Sequence, residues 1–92
     1  VKIERLLFQV TPPDFVEDFI IADNQVWLPW LQRQPGFLRK THQVRPGGMV
    51  ETLIFWKDAS SLRKAESSSE LATIELMFRN RIGPIYRLLS SS

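Results

Sequence analysis

Residues 27–38 read WLPWLQRQPGFL, and the fold turns on whether the proline between the two tryptophans ends a helix. Upstream, Phe15, Phe19, Val26 and Trp30 recur at near-helical spacing, and Val16, Ile20, Trp27 and Leu31 form a neighbouring stripe. A wide apolar face of this kind suits a helix lying on a sheet. The spacing runs on past Pro29 through Trp30 and Leu31. The helix is therefore expected to kink and resume, because proline removes one backbone donor and presses on the carbonyl four residues back, that of Gln25. Pro35 is the expected stop, since the residue before a proline avoids the helical region. Gly36 then allows a turn, and Phe37 opens a strand. At the other end Thr11 suits an N-cap, Pro12 the first helical position and Asp14 the positive helix start.

Outward from this helix, residues 2–10, KIERLLFQV, alternate imperfectly. Leu6, Phe8 and Val10 share one face while Ile3 and Leu7 sit on the other, so the segment reads as a strand covered on both sides. Residues 37–44 and 49–57 form a hairpin about the Pro46-Gly47-Gly48 turn, with Val50, Ile54 and Trp56 opposite Leu53 and Phe55. KDASS starts a short helix running to about Ala65. Ser67 and Glu70 have capping-box spacing, and Leu71, Ile74, Phe78 and Ile82 follow at helical spacing until Gly83 and Pro84. Residues 85–89 form a last strand, with Ser90–Ser92 expected to be a loose tail. The order is that of the split βαβ motif: an α+β, ferredoxin-like βαββαβ domain spanning residues 1–92, with an antiparallel sheet. Helices cover one face of such a sheet. Leu7, Leu53 and Phe55 would stay wet on the other, so a homodimer through the sheets is expected.

Composition narrows the partners. Hydrophobic residues make up 43% of the 92, enough for a core, and the net charge of +2 is spread without a basic run. Nucleic-acid binding is not indicated. The third strand, MVETLIFWK, also lacks the glycine and spaced aromatics of an RNA-recognition motif. TPPDF lacks the glycine-rich anion loop of an acylphosphatase. With no cysteine, disulfides and thiolate chemistry are absent. The apolar runs are too short for a helical membrane span. The start at Val1, without a methionine, fits either a trimmed chain or a removed leader. The compartment is left open, with the cytoplasm as the working expectation.

A first strand entering TPPDF, a long helix with an acidic middle and a tryptophan, then QPGFL, then a strand ending FWKDASSL together resemble the antibiotic-biosynthesis-monooxygenase-like family. The likeness covers nearly the whole chain and points toward small cyanobacterial members. It implies a dimeric α+β barrel that takes a small apolar or aromatic ligand between helices and sheet. The alternative it implies is a cofactor-independent monooxygenase acting on an aromatic or polycyclic compound. The haem-degrading branch pairs an Asn on the first strand with a Trp beyond the third and a His on the last helix. That set is missing here, and no cofactor or metal is expected. Phe19, Trp27, Trp56 and Phe78 are the candidate cavity walls, with plain core packing as the other reading. Trp30, beside the kink, is expected to be partly exposed or at the interface. His42 and Tyr86 are the candidates for chemistry; His42 is the sole histidine, and its plainer reading is a polar strand position without partners. Asp14, Glu17, Asp18 and Asp23 read as a solvated acidic helix face.

Overall fold

The computed structural model describes residues 1–92. Strands β1 (Lys2–Val10), β2 (Phe37–Arg45), β3 (Met49–Trp56) and β4 (Tyr86–Ser91) form one antiparallel sheet in the order β2-β3-β1-β4. Helices α1 (Val16–Gln32), α2 (Ala59–Glu66) and α3 (Leu71–Ile82) cover one face. This is the ferredoxin-like α+β arrangement.

α1 runs unbroken through Pro29. The proline lies on the exposed side, so Trp30 and Leu31 continue the inward face and are each 3% exposed. Trp30 is thus core, not the partly exposed residue expected beside a kink. Gly36 ends the connection with φ +84, and a Cβ there would collide with the Ser61 side chain. Only glycine allows both.

Three local expectations are corrected. Thr11 does not cap α1: a 3-10 turn, Pro13–Phe15, intervenes, and the helix begins at Val16. The Ser67–Glu70 capping box does not form. Ser68 Oγ accepts the Glu70 N–H at 3.1 Å, while Ser67 Oγ donates to the Arg63 carbonyl at 2.9 Å and so closes α2. The serine tail is not loose. β4 extends to Ser91, and Ser92 exchanges backbone hydrogen bonds of 2.9 and 3.0 Å with Arg5. Serine has no strong strand preference, so backbone pairing on the free side of β1 decides here.

Alternation in β3 sends Val50, Thr52, Ile54 and Trp56 toward the helices, all buried. Two apolar clusters fill the layer between. Val10, Phe19, Ala22, Val50 and Phe78 make one. Trp30, Leu31, Ile54, Trp56, Leu62, Ala65 and Ile74 make the other. On the outer face Leu7, Leu53 and Phe55 are half-buried within the single chain, and the Arg39 guanidinium lies 4.1 Å over the Phe55 ring.

Candidate functional site

The strand register lays the floor of the site in cross-strand rows. Glu4, Ile54 and Lys40 form one row across β1, β3 and β2; Leu6, Thr52 and His42 form the next. Directly opposed side chains on one face are near neighbours, so each row brings one polar pair against an apolar residue. Above this floor is a cavity of about 260 Å³. Trp27, Trp30, Trp56, Phe78 and Tyr86 contribute its aromatic walls, and Leu62 and Leu71 close it from α2 and α3. Its polar lining includes Glu4, Asp23, Lys40 and Thr52.

Asp23 is the residue that the sequence reading placed wrongly. That reading groups it with the carboxylates Asp14, Glu17 and Asp18, but it lies four residues from both Phe19 and Trp27, on the apolar stripe; it is 5% exposed and points down at β2. There it meets Lys40, whose side chain is 4% exposed, in a buried ion pair. His42 Nε2 lies 3.0 Å from the same Asp23 oxygen, and His42 Nδ1 lies 2.9 Å from Thr52 Oγ1. The expectation that His42 has no partners is therefore overturned. Strand alternation puts Lys40 and His42 on one face of β2, and the spacing Phe19, Asp23, Trp27 puts one acidic residue of α1 on its inward face; the pairing of the two elements is what the sequence does not show. The approach is close but not fully aligned: Asp23 Oδ2 and His42 Nε2 are buried, and neither has a partner in hydrogen-bond geometry.

These charges are tuned by burial and by each other. Burial pushes the Asp23 carboxyl up, but the close approach of His42 and the Lys40 charge outweigh it and hold it below its ordinary value. Burial also pushes the Lys40 ammonium down, against the pull of Asp23 and Glu4. Glu4 is raised by burial, opposed by a hydrogen bond from Trp56 Nε1 (3.2 Å) and reinforced by the charge of Glu66. Burial raises the Tyr86 phenol too, against the hydrogen bond and charge of Arg79.

Of the sequence candidates, Trp27, Trp56, Phe78 and Tyr86 border the cavity. Phe19 does not; it is fully buried against Phe8, Phe78 and Tyr86, with ring centroids 5.1 to 5.6 Å apart. His42 is not in the lining itself and reaches the cavity through Thr52 and Asp23. Sequence reading missed Thr52, Lys40 and Asp23. Thr52 carried a signal, as the one hydroxyl between Val50 and Ile54 on a buried strand face. No three His, Asp or Glu side chains converge as a metal-binding group, and no helix is long and apolar enough to cross a membrane.

No family model and no curated protein matches the sequence. Solved structures do. SnoaB, a cofactor-independent oxygenase from Streptomyces nogalater, is similar over 98% of this chain and 86% of its own, with 17% identity and a TM-score of 0.69. A monooxygenase from the gene ActVA-Orf6 of Streptomyces coelicolor, in complex with the ligand Nanaomycin D, gives 17% identity and a TM-score of 0.72 over 98% and 83% of the two chains. An antibiotic biosynthesis monooxygenase gives 9% identity and 0.56 over 96% and 94%. The chain has the fold of the antibiotic-biosynthesis-monooxygenase-like proteins.

Proposed function

We propose that this protein binds a small planar aromatic compound in the cavity between helices and sheet. The observation that carries the reading is the cavity itself: about 260 Å³, walled by three tryptophans, beside the buried cluster around Phe19. That volume lies just below the usual range for small-molecule sites, which starts at about 300 Å³, and so suits a compact ligand of a few rings. Tryptophan fluorescence tests it directly. Titration with hydroxylated and unsubstituted anthraquinones is expected to quench emission saturably and to raise the unfolding midpoint. Trp27→Ala should weaken both effects. Absence of saturable quenching across the series would sink the reading.

A second reading, cofactor-independent oxidation of the bound aromatic, is favoured by the polar floor. Such a reaction takes a phenol and dioxygen to a quinone and water: the ring loses its hydroxyl proton and one ring hydrogen and gains one oxygen atom. Thr52, Lys40 and Asp23 put acid–base groups beside an otherwise apolar ligand volume. Oxygen uptake with a phenolic anthrone, lost in Lys40→Met, would support it; binding without uptake would leave the binding reading alone.

The working unit in this reading is a homodimer joined through the open sheet faces. On that face Ile3, which is 39% exposed, opposes Phe55, while Leu53 opposes Arg5 and Leu7 opposes Glu51. Two sheets packed about 10 Å apart would bury these apolar side chains. Phe55→Glu should give a monomer or an aggregate in light scattering; a folded monomer of the unmodified chain at micromolar concentration would contradict the assembly.

A further inference from the structure

The geometry points to Thr52, His42 and Asp23 as a proton relay that accepts the hydroxyl proton of an acidic aromatic ligand, with Lys40 as the counter-charge for the oxygen left behind. The inference rests on the proposed ligand cavity and names the ligand class, a phenol or enol, that this floor would select.

The order of groups is hydroxyl, imidazole, carboxylate, at 2.9 and 3.0 Å. This sequence of roles, recognised by geometry and not by chain position, lets an imidazole take a proton from a hydroxyl while a carboxylate stabilises the cation. Thr52 and Asp23 border the cavity, with His42 behind them, and the Thr52 side chain is held in the middle of the sheet by register with Leu6 and His42. The proton path balances without a further reactant. The ligand O–H gives its proton to Thr52 Oγ1, Thr52 gives its own to His42 Nδ1, and the ligand is left as an anion. Asp23 faces the imidazolium, and the Lys40 ammonium, bordering the same cavity, faces the anion.

Asp23 Oδ2 and His42 Nε2 are both buried and approach to 3.0 Å, which puts the carboxylate beside the imidazole whose cation it would stabilise. A buried ion pair does little for stability against apolar replacements, which leaves its use with a polar ligand group as its physical rationale. Other ionisable groups also face this volume: Glu4 from β1, Glu66 from α2, Glu75 from α3 and Tyr86 from β4. The carboxylates among them oppose an anion in the cavity generally. They leave the Lys40 end as the place where an anionic oxygen is favoured.

The test uses 2-hydroxyanthraquinone, whose anion has a distinct visible absorption, and its methyl ether, which cannot ionise. In complex with the protein, the hydroxyl compound is expected to ionise about one pH unit or more below its free value, the size of shift that one close opposite charge gives. Thr52→Val should abolish most of that shift while still binding both compounds, and Thr52→Ser should keep it. If the probe binds and Thr52→Val leaves its ionisation unchanged, the relay is wrong and the binding reading stands. If neither compound binds, both fall. A ligand-free measurement covers the case in which a variant does not fold. His42 is the only histidine, so its ring nitrogens give one nitrogen-15 pattern. The relay requires the proton on Nε2, facing Asp23, and a bare Nδ1 accepting from Thr52. The opposite tautomer in the neutral ring would overturn it.

Discussion

The two ends of the layer between helices and sheet have the same kind of sequence and opposite interiors. At one end Phe19, which does not reach the cavity, packs ring on ring with Phe8, Phe78 and Tyr86, which also border it, with centroids 5.0 to 6.2 Å apart over a fully buried Val10 and Val50. At the other, Trp27, Trp30 and Trp56 stand around a void floored by Lys40, Thr52 and Ile54. Helical spacing of aromatics predicts burial at both ends equally. What separates them is cross-strand neighbours. Phe8 opposes Val50 in an apolar row, whereas Leu6 and Ile54 share their rows with Thr52, Glu4, Lys40 and His42. Long polar side chains tethered to Asp23 cannot spread to fill space, so the larger tryptophans bridge over them and leave it open.

The largest effect expected at the closed end is that of Phe19→Ala. Its ring is 0% exposed and touches three others, so truncation should cost about 3–5 kcal/mol in denaturant unfolding. Trp56→Ala should fall in the same range of about 3–5 kcal/mol, because that ring is 1% exposed although one side borders the cavity. A Phe19→Ala loss below that of Trp27→Ala would mean that the ends are not distinct.

At the hollow end the comparable test is electrostatic. Asp23→Asn or Lys40→Met alone strands a buried partner and should cost about 3 kcal/mol or more. The double variant Asp23→Leu/Lys40→Met removes both charges and should recover most of that loss. Strict additivity of the two single losses would show that the pair is not coupled.

Much of this architecture was legible in the sequence, and the reasons are specific. The stripes through Phe19 and Trp30 cross Pro29 without losing phase, so the helix was readable through its proline. Alternation in MVETLIFWK separated Trp56 from Phe55. Asp23 could have been read and was not: it sits four residues after Phe19 and four before Trp27, on the inward stripe, and only its partners Lys40 and His42, arriving from another element, were hidden. The Ser90–Ser92 strand extension was equally hidden, because backbone pairing along β1 decides it and side-chain pattern does not. The void itself could not be read, since packing space is a property of facing rows and not of either strand alone.

Trp27→Ala sharpens the comparison with a smaller number. Trp27 is only half-buried and borders the cavity, so less packing is lost and the cost should be about 2 kcal/mol, below that of Phe19→Ala. If it matches Phe19→Ala, the void is closed in solution by side-chain movement.

The smallest effect is a pH dependence, and it separates the polar floor from the aromatic end by sign. The folded-state Asp23 carboxyl lies below its ordinary value near 3.8, so its ionised form stabilises the fold above that value. This contribution is lost as the pH falls through the folded value. Glu4 acts in the opposite sense. Its carboxyl is raised in the fold, so protonation in mild acid relieves part of its burial cost. As the pH falls toward about 4.5, protonation of Glu4 therefore adds stability while Asp23 stays ionised, and below about 3.8 the Asp23 loss takes over, at about 1.4 kcal/mol for each unit by which its value is lowered. Glu4→Gln should remove the gain in the upper window and leave the lower window unchanged. Asp23→Asn should flatten the lower window, while Phe19→Ala shifts the whole curve down without changing its shape. The measurement is urea unfolding at half-unit pH steps from 3 to 7. An unchanged acid slope in Asp23→Asn would mean that the carboxylate is not held by Lys40 and His42 in solution, and the polar floor would lose its distinction from the rest of the core.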